Sequence, residues 1–340
     1  MTTATTPVPA AAVRSVGVVG AGAVGQAVAT ALVAARWCEQ LLITSRTPEQ
    51  AAALVADLDD MRLTLGSPVI PRVATVRELR DCPAVVVAAR ARFTNSNYTN
   101  VRMGGLHANT PIIAELAAHL NGYRGVVVMV TNPVDLMARV FAETSGAQVA
   151  GVGSNLDSAR YRLALARLHG VRPQDIDGSV IGEHGDALVI CASSTTLNGQ
   201  PVPVPVEQIR TVLLGRSGVI SEGIGRTRAG PAGAVLSTLT MLLGLVDGVT
   251  ELSTGHQGCW YGAPVRFTCG RACVEMPTLD AAETAQLATA QAKLRATYTT
   301  LAQRLAVPAV PAPRPPPAHQ HRPQPEDLFD PTGEHPCPTR

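Results

Sequence analysis

The 340-residue chain has little aromatic surface, at 3%, and Lys293 is its only lysine. Few stacking platforms and a formal net charge of only +2 exclude a nucleic-acid binder or a protein held to an anionic membrane by its field. No hydrophobic run reaches the ~18 residues that a membrane span needs. The seven cysteines are an odd number and scattered; even the closest group, Cys259, Cys269 and Cys273, has neither disulfide-framework nor metal-site spacing. No metal is expected. The first dozen residues lack the charged start and apolar segment of a secretory signal, so a cytoplasmic location is expected. What is present, 46% hydrophobic and 16% charged residues, suits a globular enzyme of about two domains.

Strand and helix patterns alternate through the first half. Buried strands are predicted at 14–20, 40–45, 69–74, 84–89 and 125–130. Helices are predicted at 23–36, from the Thr47-Pro48 cap, at 108–120 and after Pro133. This is the pattern of a parallel, doubly wound Rossmann-type sheet. An α+β half follows, with helices predicted over about 155–168, 207–224, 232–252 and 280–305. Short strands surround His184, a hairpin lies near Asn198-Gly199, and more strands lie near 259–275. The reading gives a flexible N-terminus at 1–13, a dinucleotide-binding domain at 14–153 and a substrate domain at 154–306. The proline-rich tail at 307–340 is expected to be disordered.

Gly20-Ala21-Gly22-Ala23-Val24-Gly25 follows a strand and opens a helix, the context in which this spacing marks a dinucleotide loop. Gly20 allows a tight turn, Gly22 lets the backbone approach a diphosphate, and Gly25 lets helix and strand pack closely. At the end of the second strand, Thr44-Ser45-Arg46 offers hydroxyls and a guanidinium where NAD-binding chains carry a carboxylate. NADP(H) is therefore preferred over NAD(H). His184, between Gly182-Glu183 and Gly185-Asp186, is a candidate acid/base. Asp157 is its candidate orienting partner, and Arg160, three residues on, offers a planar fork for a carboxylate. Asn132 stands at the C-terminal end of a buried strand, placed for a substrate hydroxyl or the nicotinamide ribose. Arg102 follows a polar segment that reads as a loop able to close over a substrate.

The GAGxVG loop, TNPVD, LDSAR and IGEHGD occur in the order of the L-lactate/malate dehydrogenase family, which the chain resembles from about Arg14 to Leu305. The resemblance implies a His184–Asp157 pair, a carboxylate-binding Arg160, a loop arginine at Arg102 and a cis proline after Asn132. It also implies a homodimer or homotetramer. The stretch from Arg228 to Ala234 is similar to the malate enzymes' glycine-rich segment beside the substrate. The chain departs from the family in lacking an acid at Ser45, in a longer loop without Lys-Pro-Gly, and in the proline-rich tail. The expected activity is hydride transfer between NADP(H) and a 2-oxo/L-2-hydroxy acid, with a specialised metabolite as substrate. The altered loop favours a neutral or polar substrate side chain over a second carboxylate, although Arg90 and Arg92 weigh against this. The alternatives are a reductase of another ketone or an imine, and a non-catalytic cofactor-binding protein.

Overall fold

A computed structural model describes residues 13–93 and 102–305. The N-terminal residues before Val13, the loop segment 94–101 and the proline-rich tail lie outside the described residues. The first half runs β1 (Val13–Val19), α1 (Ala23–Ala35), β2 (Cys38–Thr44), α2 (Pro48–Leu65), β3 (Ile70–Val73), β4 (Ala84–Val87), α3 (Leu106–His119), β5 (Val126–Met129), α4 (Val134–Ser145) and β6 (Gln148–Val152). Its strands pair in parallel in the order β3-β2-β1-β4-β5-β6. The β4 and β5 strands, Ala84-Val85-Val86-Val87 and Val126-Val127-Val128-Met129, are buried throughout, as strands covered on both faces must be. Val85, Val127 and Met129 join one core with α3 and α4, whereas Val86 and Val128 join the other with α1 and α2. The strand order reverses between β1 and β4, and the crevice at their C-terminal ends is where ligands bind in such sheets.

The second half continues with α5 (Ser154–His169), β7 (Ile176–Asp177), β8 (Val180–Gly182), β9 (Leu188–Ile190), β10 (Thr196–Leu197), β11 (Gln200–Pro201), α6 (Val206–Ile224), α7 (Ala229–Leu242), β12 (Gly248–His256), β13 (Cys259–Thr268), β14 (Arg271–Val274) and α8 (Ala281–Leu305). It extends the same sheet rather than forming a separate one. β12 lies antiparallel against β6, with Leu252 opposite Val152, and β13, β8 and β9 follow. A small three-stranded sheet, β11-β10-β7, stands apart.

Two sequence expectations are corrected here, and they have one cause. The helix predicted over 232–252 stops at Leu242, and β12 starts at Gly248. The β6 strand at Gln148–Val152 was absent from the sequence reading. These two segments are partners in the sheet, so neither carries a local pattern strong enough to declare itself; β-structure here is decided by pairing. β1 also begins at Val13, one residue inside the segment expected to be flexible.

Candidate active site

The glycine loop is shaped by close approach. Gly20 has φ of 109°, and a Cβ on Gly25 would sit 1.7 Å from the Gly20 carbonyl oxygen, so α1 can leave β1 only if residue 25 lacks a side chain. Gly22 has nothing within 4 Å of its Cβ position, and no side chain caps the start of α1. The first-turn N–H groups therefore face an open cleft, which suits an anion. Gly20, Gly22, Ala23, Val24, Thr44, Ser45 and Arg46 all line this cleft, of about 1050 Å³, while Gly25 lies behind the loop. The Ala21 N–H donates to the Ser45 hydroxyl at 3.2 Å, which in turn donates to Gln50 Oε1 at 3.2 Å. The glycine loop and the uncapped start of α1 fit a dinucleotide diphosphate.

The other end of the cleft holds a buried charge cluster. His184, in the turn between β8 and β9, places Nδ1 2.6 Å from Asp157 Oδ2. The carboxylate accepts there, so Nδ1 carries the proton and Nε2 is left as the second functional nitrogen. A Cβ on Gly153 would lie 2.5 Å from the imidazole Cγ, so the glycine between β6 and α5 makes room for the ring. The other Asp157 oxygen, Oδ1, stands 3.4 Å from Arg160 and 3.6 Å from Arg102. Burial alone would raise the Asp157 pKa, but His184, Arg102 and Arg160 outweigh it and hold the carboxyl below its ordinary value. Burial and the Arg102 charge push His184 down, against the opposing pull of Asp157. Burial lowers Arg160 too, and Arg102 and Arg216 add to this, while Asp157 opposes it. His184, Arg160 and Arg102 line the cleft with Asn132, and Asp157 sits behind them.

Asn132 precedes Pro133 through a cis peptide bond. Its backbone carbonyl accepts from Asn109 Nδ2 at 2.8 Å, whereas its buried side-chain Oδ1 has no partner among the described residues. A buried acceptor left unpaired is costly, and a bound hydroxyl or amide would satisfy it.

Sequence reasoning missed two supports of His184. Asp135, at the start of α4, accepts the His184 backbone N–H at 2.9 Å through Oδ2. Burial, with repulsion from Glu183 and Asp157, pushes its carboxyl up to about 7, although Ser253 and the His184 N–H act in the opposite sense. Lys293, on α8, donates to Glu183 Oε2 at 2.7 Å and to Asp186 Oδ1. The residues flanking His184 are thus tied to the last helix. The adjacency of Asp135 to the Asn132-Pro133 segment was the one available signal for the first support; nothing local marks the second.

Comparisons with known proteins identify the family. The family model described as the lactate/malate dehydrogenase NAD binding domain matches residues 14–152, and that of the alpha/beta C-terminal domain matches 154–212. An L-lactate dehydrogenase of Staphylococcus saprophyticus is 31% identical over 189 residues, 54% of this chain and 58% of that enzyme. One from Halalkalibacterium halodurans is 28% identical over 263 residues, 72% of this chain and 84% of that enzyme. In fold, the chain is similar to the minor L-lactate dehydrogenase of Enterococcus mundtii, with a TM-score of 0.79 at 22% identity over 85% of this chain and 99% of that one. The malate dehydrogenase of Cryptosporidium parvum gives a TM-score of 0.78 at 23% identity, again over 85% and 99%. With both family models matching in sequence order and the sheet continuing through both halves, the chain belongs to the lactate/malate dehydrogenase family.

Proposed function

We propose that the cleft interconverts a 2-oxo acid and its L-2-hydroxy acid at the expense of a nicotinamide dinucleotide. The observation that carries this reading is the junction of His184, Asp157, Arg160 and Arg102 at one end of a cleft whose other end is the glycine loop. The loop, the start of α1 and Thr44-Ser45-Arg46 hold the dinucleotide, which supplies or accepts hydride at its nicotinamide ring. Residues 14–153 form the dinucleotide domain and 154–306 the substrate domain. A homodimer or homotetramer is the expected assembly.

Arg160 pairs its planar fork with the substrate carboxylate. Arg102, beside Asp157, stabilises negative charge growing on the substrate oxygen. His184 gives its Nε2 proton to that oxygen in reduction and takes it back in oxidation, and Asp157 stabilises the imidazolium. In the free site the two arginines disfavour that imidazolium. A bound carboxylate offsets their charge and raises the affinity of His184 for its proton, so protonation follows the arrival of substrate.

NADP(H) is the preferred dinucleotide. Arg46 lines the cleft and Ser45 stands where an acid would repel a ribose phosphate. The test measures oxidation of NADPH and of NADH with a panel of 2-oxo acids, ketones and imines. Turnover confined to 2-oxo acids supports the reading, and turnover only of ketones or imines replaces it. No turnover despite tight dinucleotide binding makes the protein a non-catalytic binder. A lower Kd for NADH than for NADPH overturns the cofactor preference.

A further inference from the structure

The turn that carries His184 is folded around a buried carboxylate. Glu183, directly after β8, has a side chain only 3% exposed. Its Oε2 accepts the Ala187 N–H at 3.2 Å, and its backbone carbonyl accepts the Gly185 N–H at 2.8 Å. A Cβ on Gly185 would stand 2.7 Å from Glu183 Cδ and Oε1, so the chain wraps this side chain closely only with glycine at 185. The carboxylate thus spans the turn from its first residue to its last, with His184 in between.

A carboxylate taken out of water needs a counter-charge. The groups that face Glu183 are Lys293 from α8, Asp186 from the same turn and Asp135 from α4. Lys293 is the one cation among them, and its Nζ donates to Glu183 Oε2 at 2.7 Å and to Asp186. The two arms differ in weight. Asp186 is 46% exposed, and an ion pair so wet contributes little. The arm to Glu183 is screened far less, and removing one partner of a buried pair strands the other. Burial pushes the Glu183 carboxyl up, Lys293 opposes this, and the neighbouring Asp186 adds to the rise.

The helix presents this ammonium from a fixed platform. Leu287, Ala290, Leu294, Tyr298 and Leu301 recur every three or four residues along α8 and are all buried. Farther along, the Tyr298 hydroxyl donates to Glu143 of α4 at 2.5 Å, and the Arg139 guanidinium of α4 lies over the Tyr298 ring, 3.7 Å from its centroid. The first turn of α4 carries Asp135, which accepts the His184 N–H at 2.9 Å. One helix therefore holds the backbone of His184, the other holds the carboxylate inside its turn, and the two are clamped together.

We infer that Lys293 is a positioning residue for His184: by neutralising Glu183 it keeps the turn closed and the imidazole seated between Asp157 and the cleft. Lys293 is not among the described residues that line the cleft, so it acts through the turn and not on the substrate. The inference rests on the acid/base role of His184 given above. Without Lys293, the carboxyl of Glu183 faces only acids. Protonated at low pH, it still fits inside the turn. Ionised at higher pH, it is buried without a cation and the turn opens.

The test measures kcat against pH for four proteins: the parent, Lys293→Met, Lys293→Arg, and Lys293→Met combined with Glu183→Gln. Lys293→Met is expected to lose about tenfold or more in kcat as pH rises through a new ionisation, because a small displacement of the acid/base is costly. Dinucleotide Kd is expected to stay near that of the parent. The double variant removes the stranded charge, so it should lack the new ionisation and recover most of kcat, as should Lys293→Arg. Lys293→Met with the parental profile overturns the inference, as does a loss that is uniform with pH and persists in the double variant. Should Lys293→Met fail to fold, a double variant that folds and turns over supports the inference, and one that does not overturns it. If the parent itself turns over no 2-oxo acid, the acid/base reading has failed, and proton NMR tests Lys293 separately. The His184 Nδ1 proton, bonded to Asp157, gives a downfield resonance assigned by its absence from His184→Ala. It is expected in the parent and Lys293→Arg and lost from Lys293→Met as pH rises; its retention there rejects the inference.

Discussion

The two ends of the cleft are built on opposite principles. At the glycine end the working groups are backbone amides, and the constraint is the absence of side-chain atoms: Gly25 packs on Gly20, and Gly22 opens on empty space. At the histidine end the working groups are charged and titratable side chains, most of them buried, drawn from five places. They are Arg102, Asp135 on α4, Asp157 and Arg160 on α5, the loop holding Glu183, His184 and Asp186, and Lys293 on α8. The first end is a matter of shape and answers to sterics. The second is a matter of balance, because each charge is tolerable only beside its neighbours. Substitutions at the glycine end should therefore change dinucleotide affinity, and those at the histidine end should change turnover and its pH dependence.

The largest expected effect is that of His184→Ala. Loss of the acid/base should lower kcat by roughly 10²–10⁴-fold while dinucleotide Kd, read by fluorescence, stays near that of the parent. A variant that turns over at the parental rate ends the acid/base assignment, and one that loses the dinucleotide erases the contrast between the two ends.

Asp135→Asn probes the charge balance itself. The carboxyl of Asp135 is raised to about 7 from an ordinary 3.8. Being raised, it favours the fold fully only below about pH 4, and that contribution is lost as pH rises through about 7. An asparagine keeps an acceptor for the His184 N–H without the charge. The stability difference, variant minus parent, should therefore grow between these pH values, by at most about 4 kcal/mol. Thermal melts across that range decide it, and a difference independent of pH counts against a titrating Asp135.

Gly25→Ala sharpens the comparison from the other side. The added methyl meets the Gly20 carbonyl, and the loop must shift at a cost of about 1–3 kcal/mol. Dinucleotide Kd should rise by a factor of about ten or more, with the pH dependence of turnover keeping its shape. The smallest effect is expected for Ser45→Asp. A carboxylate there should move the ratio of NADH to NADPH affinity toward NADH by several-fold, about 1 kcal/mol. The two dissociation constants measure it directly, and an unmoved ratio would show that residue 45 does not face the ribose.

The sequence by itself determined whatever depends on near neighbours along the chain. The strand–loop–helix at 14–36 follows from an apolar run and three spaced glycines. The placing of Asp157 and Arg160 on one helix follows from their spacing of three. The short, β-branched valine runs of β4 and β5 read as strands covered on both faces, as they are. The tertiary structure decided what depends on partners far apart in sequence. β6 and β12 define each other across the sheet, with Leu252 opposite Val152, so one was missed and the other was read as helix. The pairing of His184 with Asp157 was a candidate from residue chemistry and an implication of the family resemblance, but only the folded chain brings the two side chains to 2.6 Å. The support from Lys293 had no local signature, and that from Asp135 showed only in its adjacency to Asn132-Pro133. Helices and turns are settled over a few residues by backbone geometry and capping. The pairing of strands and of buried charges gains its energy only when the chain closes large loops, and no short window of sequence records which closures win.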